Sequence, residues 1–83
     1  MKNYLVVGAG GFIGGHVVKR LLSEKYNVRS VDIKPSEYWF QRFEKCENFS
    51  LDMKSYDNCE KMTKDIDYVL NLACNIFVTM SLF

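Results

Sequence analysis

Three glycines recur at every third position near the start of the chain, at Gly8, Gly11 and Gly14. They follow the apolar run 4–7 and precede a stretch with helical periodicity, so they lie where a strand passes into a helix. Glycine there permits a tight turn, a close approach of the backbone to a phosphate, and close packing of the helix on the strand. The helix would offer free N–H groups and its positive dipole end to a diphosphate. The spacing therefore predicts a dinucleotide-binding loop.

Two other interpretations of the same glycines fail on single residues. A G-x-G-x-x-G register through Gly8 and Gly10 would need glycine at position 13, where the chain has Ile13. A P-loop spacing is also present, but His16 and Val17 stand where that loop needs Lys and then Ser or Thr. The chain is therefore not predicted to bind a nucleoside triphosphate through a P-loop.

Asp32 lies 24 positions after Gly8, at the end of the second apolar run. A carboxylate at this place can accept hydrogen bonds from both hydroxyls of an adenosine ribose, and it would repel a 2′-phosphate. NAD is therefore favoured over NADP. Arg29 and Lys34 are cations close by in sequence that would weaken this preference, and a solvated acid at the end of a strand is the alternative.

The periodicity alternates between strand and helix along the chain. We predict strands over 4–7, 28–33, 49–51 and 68–73, and helices from Ile13 to about Asn27, from Ser36 to about Phe43, and from the N-cap Ser55 to Ile66. Such alternation is typical of parallel strands joined by right-handed crossovers. The predicted fold class is α/β, the N-terminal half of a Rossmann-type doubly wound parallel sheet with strand order 3-2-1-4.

Apolar stripes indicate which helix faces are buried. The predicted core positions are Ile13, Val17, Val18, Leu21 and Leu22 in the first helix and Tyr56, Cys59, Met62 and Ile66 in the last. Between them lies the aromatic group Tyr38, Trp39, Phe40 and Phe43, for which core filling is favoured over a sugar-binding or partner surface.

Composition excludes several classes of function. The chain has 83 residues and a net charge of +1 with the two signs interspersed, which gives no electrostatic basis for binding nucleic acid or a membrane surface. No apolar stretch approaches the roughly 20 residues of a membrane span. The three cysteines, Cys46, Cys59 and Cys74, are widely spaced, and no metal site is predicted. A reducing, cytoplasmic location is expected.

These residues together resemble the extended short-chain dehydrogenase/reductase family, the NAD-dependent epimerase/dehydratases. The motifs that carry the resemblance are 7–14, 31–32, 51–53 and 71–73. Within the family, residues 32–35 with Trp39, followed by 71–73, are most similar to the GDP-mannose 3,5-epimerase branch. The resemblance covers residues 3 to about 75, so we expect an NAD(P)-binding Rossmann half-domain over 1–75 and an atypical hydrophobic tail over 76–83.

The resemblance implies further cofactor contacts. The backbone N–H groups of Phe12 and Ile13 would bind the phosphates. Asp52 would bind the adenine amino group, with Met53 beside the ring. Leu72 and Ala73 of the fourth strand would line the cofactor near its phosphates and nicotinamide. Two alternatives stay open. Asp52 could instead cap the turn before the last helix, and Leu72 and Ala73 could be ordinary strand core.

Catalysis in this family uses a Ser or Thr and a Tyr-x-x-x-Lys. None of the five tyrosines in the chain has Lys four residues later, so no catalytic residue is predicted. Family members are several times longer. The resemblance thus implies the cofactor-binding N-terminal part of a nucleotide-sugar epimerase, which takes a hydride from a sugar carbon and returns it, and predicts that this chain alone is inactive.

A second hypothesis treats the chain as a binding module without catalysis. The fourth strand would then be an exposed edge, and the uncharged apolar segment 76–83 would be a docking or self-association element. Under both hypotheses NAD is the predicted cofactor, and we expect the chain to bind it weakly because half of the cleft is absent.

Overall fold

The structure is a computed structural model in which residues 2–73 are described. The tail 76–83 and Cys74 lie outside the described residues, so expectations about them are not addressed by it. In chain order the elements are β1 (Asn3–Val7), α1 (Phe12–Ser23), β2 (Asn27–Asp32), a 3-10 turn (Ser36–Tyr38), β3 (Glu47–Ser50), α2 (Tyr56–Thr63) and β4 (Tyr68–Asn71).

The four strands form one parallel sheet with the order β3-β2-β1-β4, as predicted. β1 lies in the middle, where Val6 is opposite Ser30 of β2 and Leu70 of β4. Leu5 and Val6 have no exposed surface. Full burial of such a side chain stabilises the fold by about 1.5–3 kcal/mol, so β1 anchors the layers on both of its faces.

Each face of the sheet carries its own apolar cluster. The cluster on the α1 face contains Val6, Ala9, Val18, Val28 and Trp39, and the cluster on the α2 face contains Leu5, Val7, Val31 and Met62. Three layers of this kind are what a doubly wound sheet requires, because each helix covers one face of the central strands.

The apolar stripe predicted for helix α1 lies in the core except at its first residue. Val18 is buried, and Val17, Leu21 and Leu22 pack against its cluster, but Ile13 is 62% exposed. Ile13 lies in the first turn of α1, outside the core cluster on that face of the sheet.

The end of α1 also comes earlier than predicted. The helix stops at Ser23, whose hydroxyl donates to the Arg20 carbonyl, and the left-handed residue is Lys25 (φ 71°) instead of Asn27. Asn27 already belongs to β2, where its side-chain amide donates to the Asn3 side chain. Pairing with β1 therefore takes Asn27 out of the helix end.

The helix predicted from Ser36 to Phe43 is a single 3-10 turn. The backbone becomes extended at Trp39 (φ −70°, ψ 143°), and the Phe40 N–H donates to the carbonyl of Gly10 at 2.8 Å. This bond holds the chain against the glycine loop and prevents further helix. Trp39 fills the core as expected, whereas Tyr38 and Phe40 are exposed, so the core prediction was wrong for those two.

Helix α2 begins as predicted and ends early. The Ser55 hydroxyl accepts from the Asn58 N–H at 3.4 Å, which confirms the N-cap. The helix ends at Thr63, so Ile66 packs on the sheet from the following turn. Met62 is buried, but Tyr56 is 77% exposed. The predicted stripe was therefore wrong at its first residue.

Strand bounds shift by one or two residues from those predicted. β3 starts at Glu47 instead of Phe49, since the Glu47 carboxylate forms an ion pair with Arg29 of β2 at 3.0 Å. β4 ends at Asn71 instead of Ala73; its side chain accepts from the Ala73 N–H at 3.2 Å. Within residues 2–73, no helix has both the length and the apolar character needed to cross a membrane.

Candidate functional site

A cleft of about 570 Å³ lies at the carboxyl edge of the sheet. It is lined by Val7, Gly8, Gly11, Asp32, Ile33, Lys34, Leu51, Asp52, Met53, Lys54, Asn71, Leu72 and Ala73. The edge includes the point between β1 and β4 where the strand order reverses, and ligands of doubly wound sheets bind at this place. Seven of the ten predicted site residues line the cleft. The other three, Phe12, Ile13 and Gly14, lie in the first turn of α1 beside it.

The turn out of β1 depends on Gly8. Its φ of +90° is a backbone conformation that side chains rarely permit, and a Cβ on Gly8 would lie 2.5 Å from the Ala73 nitrogen. The Gly8 and Ala9 N–H groups both donate to the Val31 carbonyl, at 2.9 and 3.1 Å. Gly8 therefore lets the loop turn and lets the end of β4 approach it.

Gly14 and Gly11 differ sharply in the space around them. A Cβ on Gly14 would overlap the Gly8 carbonyl, so Gly14 allows α1 to pack directly on the loop. A Cβ on Gly11 would meet the Gly8 oxygen at 3.6 Å, an ordinary contact. Within residues 2–73, nothing requires glycine at position 11, and the described residues leave the space beside Gly11 open for a ligand.

No side chain of residues 2–73 caps the start of helix α1. Gly11 is the N-cap residue and provides no side-chain hydrogen bond, and the first turn contains no acidic residue. The first N–H groups of a helix have no intrahelical acceptor and carry the positive end of the dipole. This end of α1, where Phe12 and Ile13 lie, is suited to an anion.

Asp32 is buried, at 8% exposure, and is joined to the glycine loop. One carboxylate oxygen accepts the Gly10 N–H at 2.8 Å, and the other accepts the Lys34 N–H at 3.0 Å. The alternative of a solvated strand-end acid was therefore wrong. A carboxylate has about four acceptor positions, so two remain beyond those used within the protein.

Asp52 stabilises the turn before α2, which is one of the two roles predicted for it. Its carboxylate accepts the Lys54 N–H at 2.9 Å, and its carbonyl accepts from Ser55 and from the Asn58 side chain. The residue also lines the cleft, where Met53 lies beside it and packs against the α2-face cluster. Contact with adenine remains open to Asp52 in addition to its role in the turn.

The residues that follow β4 pack against the glycine loop. The Leu72 N–H donates to the Val7 carbonyl at 2.7 Å, which continues the β1–β4 pairing one step beyond the strand. Leu72 packs against the α1-face cluster, whereas Ala73 is exposed in the cleft. Leu72 is thus partly strand core, and Ala73 is available to a ligand.

Sequence reasoning missed the part played by Gly10 and Trp39. Gly10 donates to Asp32, accepts from Phe40, and lies directly under the Trp39 indole, since a Cβ on Gly10 would be 2.7 Å from a ring carbon. The signal in the sequence was the extra glycine between Gly8 and Gly11. The glycine spacing excludes a motif register that includes Gly10, and the role of Gly10 lies in packing instead.

Arg29 does not belong to the site. Its guanidinium pairs with Glu47 and donates to the carbonyls of Met62 and Lys64, at 2.9 and 3.0 Å, at the amino edge of the sheet. Although Arg29 is close to Asp32 in sequence, its guanidinium therefore cannot counter the charge of the Asp32 carboxylate. Lys34 does line the cleft, and its ammonium lies 3.4 Å from the Gly10 carbonyl.

The amino edge has a separate cavity of about 320 Å³, lined in part by Tyr4, Tyr26, Arg29, Cys46 and Glu47. Desolvation raises the pKa of the Tyr4 phenol, and the neighbouring Tyr26 and Tyr68 raise it further. Burial likewise raises the pKa of the Cys46 thiol. Neither group is activated toward proton transfer or nucleophilic attack at neutral pH.

Known proteins are similar to this chain in sequence and in fold. The chain is 40% identical over 72 residues to GDP-mannose 3,5-epimerase 1 of Oryza sativa subsp. indica, and 38% identical to GDP-mannose 3,5-epimerase of Arabidopsis thaliana. Both alignments cover 86% of this chain and 19% of the relative. The chain thus spans about a fifth of the length of these curated relatives.

Among solved structures, UDP-glucose 4-epimerase of Thermotoga maritima with UDP-glucose is similar, with a TM-score of 0.77 and 28% identity over 95% of this chain and 26% of that chain. Uronate dehydrogenase of Agrobacterium tumefaciens complexed with NAD has a TM-score of 0.71 and 25% identity over 87% of this chain and 26% of that chain.

The sequence profile of the NAD dependent epimerase/dehydratase family matches residues 4–81 of this chain. This match covers most of the chain and confirms the family predicted from the glycine loop and the strand ends. The chain belongs to the NAD-dependent epimerase/dehydratase family.

Proposed function

We propose that this chain binds NAD in the cleft at the carboxyl edge of its sheet, as the N-terminal cofactor-binding part of a nucleotide-sugar epimerase. The observation that carries the proposal is the combination of an open Gly11, an uncapped start of α1 and the Asp32 carboxylate along one cleft. A dinucleotide offers a diphosphate and a ribose diol at matching places.

Each predicted residue has a role under this proposal. The diphosphate lies over Gly8 and Gly11 and receives hydrogen bonds from the N–H groups of Phe12 and Ile13. Gly14 keeps α1 close enough for those groups to reach it. The unused acceptor positions of Asp32 bind the adenosine ribose.

The remaining predicted residues line the two ends of the cleft. Asp52 and Met53 border the adenine end, where the free Asp52 acceptor positions would meet the adenine amino group. Leu72 and Ala73 border the phosphate and nicotinamide end. The presence of all four in the lining of the cleft supports this assignment.

NAD is favoured over NADP in this site. A 2′-phosphate would bring a second anion next to the buried carboxylate of Asp32. Arg29 is engaged at the opposite edge of the sheet, so the basic residues that line the cleft are Lys54 and Lys34. Of these two, Lys34 is the one hydrogen-bonded to the glycine loop. Its proximity to the Gly10 carbonyl favours a role in the loop.

The substrate of the longer protein is proposed to be a nucleotide sugar. GDP-mannose 3,5-epimerases and a UDP-glucose 4-epimerase are among the relatives, which supports that class. When bound, NAD supplies reversible hydride transfer at a sugar carbon. This chain alone is proposed to hold the cofactor without turnover, since no Tyr-x-x-x-Lys occurs in its sequence. A cytoplasmic location fits the free thiols of Cys46 and Cys59.

The test is calorimetric titration of the full 83-residue chain with NAD, comparing wild type with Gly11→Ala. The substitution is compatible with the fold, but its methyl group would occupy the space assigned to the diphosphate. We expect saturable, weak binding by wild type and at least about tenfold weaker binding by Gly11→Ala, with unchanged folding. Equal affinity of the two proteins would contradict the proposal.

A second candidate function is self-association through β4. This strand forms one edge of the described sheet, and Tyr68 and Val69 are both 48% exposed. An exposed edge offers backbone groups to a second copy of the same strand. Light scattering over a concentration series should give a dimer that Val69→Lys weakens and that Tyr56→Lys, on the exposed side of α2, leaves intact. A monomer at every concentration would exclude this function.

A further inference from the structure

Gly10 is held from several sides by residues at the end of β2 and in the segment that follows it. Its N–H donates to Asp32 at 2.8 Å, and its carbonyl accepts the Phe40 N–H at 2.8 Å. The Trp39 indole covers its Cα so closely that a Cβ would lie 2.7 Å from a ring carbon. We call Asp32, Lys34, Trp39 and Phe40 the Gly10 clamp.

The clamp is closed on itself. Trp39 is buried at 8% exposure, and its indole N–H donates to the Lys34 carbonyl at 2.8 Å. The Lys34 N–H in turn donates to the Asp32 carboxylate at 3.0 Å. A continuous path of contacts therefore runs from Gly10 through Asp32, Lys34 and Trp39 and back to Gly10.

Such a clamp matters because of what it restrains. Residues 8–11 include three glycines, which lose more conformational freedom on ordering than any other residue type. A ligand that must order this loop binds more weakly than one that finds it already ordered. The contacts that hold Gly10 are all made by residues of the protein itself.

We propose that Trp39 is a positioning residue that holds the glycine loop in its NAD-binding shape before the cofactor arrives. The inference rests on the proposed function, because it assigns the loop to the diphosphate. Trp39 does not line the cleft and acts through Gly10. Residues 36–40 pack against the glycine loop and are fixed there by the hydrogen bond from the Phe40 N–H to the Gly10 carbonyl. The exposed start of α1 is then left free for the ligand.

The experiment compares Trp39→Leu and Trp39→Phe with Phe43→Leu in the full chain. Leu removes the ring over Gly10, and Phe keeps a ring but loses the bond to the Lys34 carbonyl. Phe43 packs against the same apolar cluster as Trp39, while the hydrogen bonds and ring contact that hold Gly10 come from other residues. It therefore controls for a general loss of core packing.

Two measurements are made at a temperature where each variant is folded. The first is amide hydrogen exchange of Gly10 in the NAD-free chain, expressed relative to the amide of Val31 in the sheet. The second is the Kd for NAD by calorimetry. We expect faster Gly10 exchange and about three- to tenfold weaker NAD binding for Trp39→Leu, a smaller change for Trp39→Phe, and neither change for Phe43→Leu.

Gly10 exchange and NAD affinity at the wild-type level in a Trp39 variant would overturn the inference, as would equal effects from Phe43→Leu. If Trp39→Leu does not fold, Trp39→Phe decides by the same two measurements. A wild-type chain that fails to bind NAD would refute the proposed function instead, and the exchange comparison would still report whether Trp39 holds the loop.

Discussion

The Asp32 carboxylate accepts the Gly10 N–H at 2.8 Å across 22 positions of sequence. A single side chain thus connects the end of β2 to the loop that follows β1. Asp32 also lines the cleft that extends to Gly11, the N-cap residue of α1. Under the proposed function, ordering of the loop and recognition of the ribose would therefore be coupled through one carboxylate.

The first prediction separates these two roles of Asp32. Asp32→Ala leaves the Gly10 and Lys34 N–H groups without their acceptor, which should lower the free energy of unfolding by about 2–4 kcal/mol. Asp32→Asn keeps one neutral acceptor and should lower it by about half as much. Both variants should bind NAD more weakly. Urea unfolding measures the first effect, and equal stability of Asp32→Ala and wild type would contradict the assigned hydrogen bonds.

The second prediction concerns the choice between NAD and NADP. Wild type should bind NADP at least about tenfold more weakly than NAD, because the 2′-phosphate meets a buried carboxylate. Asp32→Asn removes that charge and should narrow the difference. Parallel calorimetric titrations with the two cofactors measure it. Equal affinities in wild type would contradict the prediction and would indicate that the lysines lining the cleft, Lys34 and Lys54, compensate for Asp32.

The third prediction uses the contrast between two glycines of the loop. Gly14→Ala forces a Cβ against the Gly8 carbonyl and should lower the free energy of unfolding by about 3 kcal/mol. In a chain of this size that corresponds to a fall in Tm of at least roughly 10 °C. Gly11→Ala, with φ −82° and open space, should change Tm little, because the smaller backbone freedom of the unfolded chain offsets the poorer N-cap propensity of Ala. Thermal unfolding of both variants checks the prediction, and an equal loss in both would contradict it.

The fourth prediction concerns pH and Cys46. Burial raises the pKa of this thiol above its ordinary value of 9.0, so the folded chain holds the proton more tightly than the unfolded chain. The resulting stabilisation is complete below pH 9.0 and is lost as the pH rises from there through the folded pKa. The stability difference between wild type and Cys46→Ala should therefore shrink above pH 9.0. A difference that is constant from pH 7 to pH 10 would contradict it.

Much of the fold follows from patterns within each segment. Strand order and parallel pairing could be predicted because alternation of strands and helices leaves few topologies, and the Ser55 cap follows from local hydrogen bonding. The exposed Ile13, Tyr38, Phe40 and Tyr56 were less predictable. Periodicity identifies a face of an element but does not reveal which apolar residues lie beyond the core it covers.

The residues of the candidate site likewise include some that could be predicted from the sequence and some that could not. Gly8, Asp32 and Ala73 could be located because each stands at or just after the end of a strand, and strand ends meet at one edge of a parallel sheet. Gly11 could be located from its spacing to Gly8 and Gly14. The packing of Trp39 on Gly10 could not be predicted. It joins residues 29 positions apart in sequence through a turn whose path depends on the Phe40 bond to the loop.

NAD binding at the carboxyl edge of the sheet can be observed residue by residue, by titrating the ¹⁵N-labelled chain with NAD and following its amide resonances. We expect saturable shifts at Gly11, Ile13, Asp32 and Ala73, with none at Glu47 on the amino edge. No shifts at saturating NAD, or shifts confined to the amino edge, would contradict the proposed binding site.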